Sequence, residues 1–482
     1  MPFAMPKPTS GNRRWLPAVV FLTYCLTRWV AFPAGVTETD EVLFCQAVER
    51  YDLARHHPHP PGYPLYVALG KLAAHFVQPN FEALAWVGLL CSCSAIWPAC
   101  RLVTGLTGCD RTTTWAAAAV FAHSPVVWLT SAQAFSDVPA LAASMWTVWL
   151  LWKARVSPLR RPKRRYLAAA TLLATAAIGL RPQVAVSLVP LIVLVVAERQ
   201  IGWRRRLLVT ALGILGCAAW FAPMVWISGG WRAYLDIIAD QGRWYWQIDT
   251  VFGMVHTDWT RRFSFWLRPW GAAATAIPIV ALAGMGFACL LRGRPTSGAF
   301  VATWFLPYFL FILCLHSPET PRYALPALPP IIACLAAALA VRPRLGRWVG
   351  VALAAGLAVQ AAPVVWLLHR QQIPPLQAAA WLRVHADPGT DLIVVDERLE
   401  TLMHDALRGM NWVAAKAVGD EEMRGGHAWL LTEFPKAGAT PVFERSWKSR
   451  RLVLFTRHRF LSAHVYRLGG STPQANRVPK KA

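Results

Sequence analysis

The strongest constraint on this chain is a succession of apolar runs, each about 17–25 residues long, the length that crosses a hydrocarbon core of roughly 30 Å. Leu207 to Trp226 (LLVTALGILGCAAWFAPMVW) and Trp348 to Leu368 are two of them. In lipid, every backbone N–H and C=O in such a run must be satisfied within its own segment, so the runs are expected as helices. Charged residues make up only 15% of the chain, against roughly 25% in soluble globular chains. The net charge of +24 does not point to nucleic acid. Lys and Arg punctuate the apolar runs and form no single stripe interleaved with aromatics, which is the pattern of topology-setting charge. Cys91, Cys93, Cys217, Cys289 and Cys334 sit inside apolar runs and read as small hydrophobes, and no cysteine follows Arg370, so no disulfide framework is expected.

Basic loops then orient the path by the positive-inside rule. Met1 to Arg14 is polar and basic and no clear A-x-A cleavage site follows it, so the first run is expected as a retained span with a cytoplasmic N-terminus. Spans are expected at about Trp15–Pro33, Glu82–Leu102, Thr113–Ser131 and Val138–Trp152. The fifth ends at Arg181, the sixth returns at Arg199, and the seventh exits near Ser228. The last four run through Phe265–Leu291, to Ser317, through Tyr323–Arg342 and to His369. Tyr63–Val77 is expected as a surface helix. Alternation places each inner loop on a basic segment, most strongly at KARVSPLRRPKRRY. The tail has a helix-like stretch (LQAAAWLRVHA), a DPG turn, a buried strand in DLIVVDERLE, and strand-like AWLLT, RLVLFT and HVYRL. The expected fold is therefore an all-α polytopic membrane protein of about eleven transmembrane helices, residues 1–370, with a small α/β extracytoplasmic domain over residues 371–482.

The polar residues that call for an explanation gather on the outer side of this path. The first outer loop, TETDEVLFCQAVERYDLARHHPHPPGYPLY, opens with Asp40 and Glu41 and later carries His56, His57 and His59 before Pro60, Pro61 and Gly62. A carboxylate at a low-dielectric boundary can serve as a base, and the histidines are candidates for a phosphate, a metal or an acceptor. A solvated loop with an N-cap Asp and a Pro-rich turn accounts for the same residues. Asp137 opens the fourth span in SAQAFSDVPALAAS, either as a functional ionisable group or as a helix cap. Arg181 in GLRPQVAVSLVP is a candidate phosphate ligand or a snorkelling residue. HSPETPRYALPALPP offers Glu319, Arg322 and Tyr323 just before the tenth span. The long outer loop DQGRWYWQIDTVFGMVHTDWTRR reads as an amphipathic surface helix or as a lid. Walker, Rossmann, HExxH and GxSxG patterns are missing, which argues against an ATP-driven pump and a soluble-type hydrolase.

The order of these short motifs resembles the GT-C superfamily of membrane glycosyltransferases, nearest to its protein O-mannosyltransferase and lipid A aminoarabinose transferase branch. The resemblance runs over roughly residues 15–340. It implies inverting transfer of a sugar from a polyprenyl-phosphate carrier to a lipid, glycan or protein hydroxyl, at the outer face of what would be a bacterial inner (plasma) membrane. By resemblance, Asp40 is the catalytic base with Glu41 beside it, and Asp137 is the second acidic position. His57, His59, Arg181, Glu319, Arg322 and Tyr323 are then substrate-binding. The family's pre-PP lysine is His59 here, and the acidic, metal-linked residue before it is Pro58. The resemblance also allows a divalent metal (Mg or Mn), with Glu41, His57 and His59 as candidate ligands. Two other classes compete. A secondary transporter or lipid flippase predicts ionisable residues near mid-membrane. A non-catalytic scaffold presenting the tail leaves Asp40–Glu41 and HPHPP unexplained.

Overall fold

The structure, a computed structural model, describes residues 16–199, 201–253, 257–417, 428–447 and 460–468. Met1–Arg14, Trp15 at the expected start of the first span, and the strand-like RLVLFT lie outside these residues. The described residues divide into two compact units, one holding those up to Ala34 and Leu43–Gln371, the other Gly35–Val42 and those from Gln372 onward.

The first unit is helical. Its helices are α1 (Leu16–Val30), α2 (Thr39–Glu49, whose first turn belongs to the other unit), α3 (Pro64–Ala74), α4 (Asn80–Thr107), α5 (Arg111–His123), α6 (Pro125–Thr130), α7 (Asp137–Val156) and α8 (Arg160–Leu180). Then follow α9 (Ala185–Val196), α10 (Trp203–Ile227), α11 (Trp231–Ile248), α12 (Trp259–Ser264), α13 (Ala273–Gly293), α14 (Pro295–Leu315), α15 (Leu328–Leu339) and α16 (Pro343–Arg370). Among the described residues, six helical segments are long and apolar enough to cross a membrane: α4, α10, α13, α14, Pro321–Leu339 and the run that begins with α16. Pro64–Ala74 and Pro182–Val196 are shorter apolar helices. Exposed Leu207, Ile214, Leu215 and Trp226 on α10 would be costly in water over so long a face and suit lipid.

Prolines interrupt the expected third and tenth spans and mark the expected boundary between the fifth and sixth. Thr113–Ser131 divides at Ser124, which takes an extended ψ of 123° before Pro125. A residue preceding proline is pushed out of the helical region. Arg181 is extended in the same way before Pro182, and a 3₁₀ turn, Pro182–Val184, leads into α9. The tenth span opens as a 3₁₀ segment, Pro321–Ala327, before α15. Elsewhere the helices pack closely because side chains are small. A Cβ at Gly286 of α13 would fall 1.8 Å from the Cys334 carbonyl of α15, so only glycine admits this crossing.

One end of the layer carries Arg101 and Arg111, Lys153 and Arg155, Arg204–Arg206, Arg292 and Arg294, and Arg342, Arg344 and Arg347. There Glu198 binds both Arg155 (3.0 Å) and Lys163 (3.5 Å). The opposite end holds the breaks at Ser124, Arg181 and Pro321. α11, at the end of α10, exposes Trp231, Trp244 and Trp246 and buries Tyr234, the amphipathic form expected of the long loop.

Among its described residues the second unit has α17 (Pro374–His385), α18 (Glu400–Ala406) and a five-stranded sheet of β1 (Leu392–Val395), β2 (Trp412–Ala414), β3 (Ala428–Thr432), β4 (Phe443–Ser446) and β5 (Ser462–Leu468), in the order β2-β1-β3-β5-β4. β1 runs parallel to β2 (Val394 opposite Val413) and to β3 (Val394 opposite Leu430), while β5 runs antiparallel to β3 and β4. Ile393, Val394, Val395, Leu431 and Val465 are fully buried, as the apolar run in DLIVVDERLE requires. Trp381 of α17 packs edge-on against Trp429 of β3, whose indole donates to Asp391 Oδ2 at 2.9 Å.

Candidate active site

Three charged side chains meet at the end of the helical unit opposite the basic loops. α7 and α8 are antiparallel neighbours, so the start of one lies beside the end of the other. Asp137 opens α7, Arg181 ends α8, and Arg322 lies in the 3₁₀ segment before α15. Both arginines donate from Nη1 to Asp137 Oδ2, at 3.0 Å each. All three are buried, with residue exposures of 3% for Asp137 and 4% for each arginine. Ser136 makes no capping bond with its side chain; its Oγ accepts from Arg181 at 3.0 Å. Of the two sequence readings of this helix start, a simple cap does not describe it.

Aromatic rings wall the cluster. The Arg322 guanidinium lies 4.1 Å from the Phe135 ring and 5.3 Å from Tyr323, and Arg181 lies 5.4 Å from Tyr323 and 5.9 Å from Tyr63. Such faces stabilise buried cations. Tyr63 links the cluster to the HPPGY turn. Its hydroxyl meets His59 Nε2 at 3.1 Å and Gln183 Nε2 at 3.4 Å. The turn needs Gly62, whose φ is +112° and whose Cβ would fall 2.5 Å from Tyr51 Oη; Tyr51 in turn donates to the Gly62 carbonyl at 3.0 Å. His57 closes the loop before it through paired backbone bonds with Asp52, at 2.6 and 2.8 Å. The structure therefore brings together Asp137, Arg181, Arg322 and Tyr323, with His59 one hydrogen bond further out. Glu319 instead forms an exposed ion pair with Arg261 at 2.9 Å.

His316, after α14, did not stand out in the sequence. Its ring lies 4.8 Å from Tyr323 and 5.0 Å from Phe311, and its carbonyl accepts from Arg262 at 2.8 Å. Burial, helped by the Arg181 and Arg262 charges, pushes its imidazole down to about 3, so the ring is neutral at physiological pH. The signal was weak: one histidine at the head of a proline-rich loop.

Asp40 and Glu41 occupy the first turn of α2, in the segment grouped with the other unit. Glu41 Oε2 accepts from Thr37 N, Thr37 Oγ1 (2.7 Å) and Glu38 N (3.1 Å). It closes the turn that carries Asp40. Among the described residues no three His, Cys, Asp or Glu side chains group as metal ligands, and Glu41 and His59 already serve the bonds above. These residues do not group as a metal site as they stand.

Residues 53–202 match the family model of the protein O-mannosyl-transferase TMEM260 N-terminal domain. That stretch includes His57, His59, Asp137 and Arg181. In structure the chain is similar to ArnT from Cupriavidus metallidurans bound to undecaprenyl phosphate, with 12% identity, a TM-score of 0.60, and coverage of 94% of this chain and 98% of that one. It is also similar to the apo oligosaccharyltransferase of Archaeoglobus fulgidus, at 12% identity and TM-score 0.53, covering 88% and 70%. The arabinofuranosyltransferase AftD from Mycobacteria is similar at 17% identity and TM-score 0.50, covering 88% and 37%. No curated protein matches in sequence. The chain has a GT-C-like fold, as its motif order implies, and is an integral membrane protein.

Proposed function

We propose that this chain is an inverting membrane glycosyltransferase that takes its sugar from a polyprenyl-phosphate carrier. The observation that carries the reading is the buried cluster in which Arg181 and Arg322 share the Asp137 carboxylate, at the helix end away from the basic loops. Planar guanidiniums held in place in this way suit the phosphate of a lipid whose tail stays in the bilayer. Residues 1–370 would form the catalytic domain and residues 371–482 an extracytoplasmic domain. In the reaction the acceptor oxygen bonds to the anomeric carbon while the bond from that carbon to the phosphate oxygen breaks. The proton passes to a carboxylate, assigned to Asp40, and the electron pair leaves with polyprenyl phosphate. Arg181 and Arg322 face the charge that develops on the leaving group, with Asp137 positioning both forks. The donor is a polyprenyl-linked sugar and the acceptor a lipid, glycan or protein hydroxyl.

Purified protein in nanodiscs, given a synthetic polyprenyl-phosphate sugar and an acceptor fraction, is expected to release polyprenyl phosphate and yield a product of inverted anomeric configuration. Arg322→Lys keeps the charge and loses the planar fork. It is expected to raise the KM for donor by about tenfold or more, the worth of a charge-assisted hydrogen bond. Release without inversion, or movement of intact lipid-linked sugar across the vesicle, would overturn the reading; the second result would favour a flippase.

The orientation is tested separately. In a bacterial plasma membrane, a reporter fused after Arg165 is expected in the cytoplasm and one fused after Ala482 outside it. A cytoplasmic tail would reverse the face on which the cluster opens.

A further inference from the structure

The sheet of the second unit carries an open crevice of about 400 Å³ at the carboxyl ends of its parallel strands. Its place follows from the strand order. From β1 the chain passes through α18 to β2 on one side, while β3 pairs with β1 on the other side. In open α/β sheets such a reversal leaves a gap in which ligands bind. Asp396, Glu397 and Arg398 follow β1 directly, Thr432 ends β3, and Phe434 and Lys436 come just after it; all six line the crevice.

The two loops are held in place. Asp396 N donates to the Leu431 carbonyl at 2.9 Å. Its Oδ1 accepts from Arg398 N at 3.0 Å and its Oδ2 from Thr432 Oγ1 at 3.1 Å. Lys436 N donates to Tyr466 Oη at 2.8 Å. Against this rigid base, Glu397 and Arg398 are exposed, Phe434 is 52% exposed, and the Arg398 guanidinium lies 5.0 Å from the Phe434 ring centroid.

The chemistry selects among ligands. Phosphates at such sites rest on a glycine-rich turn and a helix N-terminus. The turn here is Asp396-Glu397-Arg398-Leu399 with Glu400 opening α18, and those carboxylates repel an anion. The lining's two acids and two bases cancel, so no net charge is called for. Fixed acceptors, long donors and a half-open aromatic ring instead suit a ligand with many hydroxyls and an apolar C–H face. We infer that this crevice is a binding site for a neutral sugar. The inference is separate from the transferase reading, because binding here needs no turnover.

The test uses the full-length chain in nanodiscs free of lipid-linked sugar, applied to immobilised neutral oligosaccharides of mannose, glucose, galactose and arabinose beside phosphorylated counterparts. Saturable binding of at least one neutral glycan is expected. Glu397→Gln and Phe434→Ala, both at exposed positions that should not disturb folding, are expected to weaken it about tenfold each. Arg322→Lys, in the other unit, should leave it unchanged whether or not transfer is detected. Competition by a polyprenyl-phosphate sugar added to the disc would identify the occupant as a donor headgroup, and its failure a free glycan; either supports the site. Binding of no neutral glycan, of phosphorylated glycans only, or undiminished binding by both crevice variants overturns the inference.

Discussion

Asp137→Ala is expected to lower stability by roughly 3–5 kcal/mol, the cost of breaking a buried ion pair by removing one partner. The carboxylate is shared: Arg181 and Arg322 both donate to Oδ2 at 3.0 Å, and each arginine is 4% exposed. Without it two guanidiniums lose a common acceptor and face each other's charge across a low-dielectric site. Thermal unfolding of purified protein and its abundance in membranes should both fall. A companion change separates charge from packing. Adding Arg181→Met to Asp137→Ala removes one of the two opposed cations and should recover part of the loss, a coupling that a double-mutant cycle reads directly. Asp137→Asn keeps the shape and should fall between. If Asp137→Ala unfolds at the parent's temperature, the cluster does not hold this end of the helical unit together, and the assignment of Asp137 as the residue that positions both forks fails with it.

That cluster also marks where the sequence could be read and where it could not. Apolar run length is a local property, so each expected span could be placed, and each holds a helix. The break inside the third span at Ser124 and the end of the fifth at Arg181 are local too: both residues leave the helical region because the next residue is proline. Asp137, Arg181 and Arg322 were each legible as ionisable residues at helix ends. Their pairing was not, because the partners of Asp137 lie 44 and 185 residues away, and only helix packing brings them together. The same holds for Tyr63, which reads as part of a turn yet joins His59 and Gln183 across 120 residues. In the second unit the apolar strands β1, β3 and β5 showed in the sequence. β2 is three residues long and β4 reads FERS; neither has an alternation long enough to register, and both are edge strands defined by their neighbours.

Asp40→Asn is expected to reduce turnover on the order of 100- to 10,000-fold, the usual worth of a general base, while donor affinity and membrane abundance are largely kept. Asp40 follows the first span closely and stands in the first turn of α2, on a segment that Glu41 ties down through its bonds to Thr37 and Glu38. A base must be held where it can meet the acceptor's proton, and this turn supplies that rigidity without using Asp40's neighbour for the chemistry. The asparagine keeps the shape and the hydrogen-bonding oxygen but cannot take a proton. Glu41→Gln gives the contrasting result. It weakens charge-assisted bonds that fix the turn, so abundance or thermal stability should fall together with rate, by less in rate than Asp40→Asn. The measurement is single-turnover release of polyprenyl phosphate, with donor binding followed separately and each variant quantified in the membrane. Near-parental turnover by Asp40→Asn would remove Asp40 from the mechanism. The role would then shift to Glu41 or Asp137, and Glu41→Gln or Asp137→Asn becomes the variant that loses the rate.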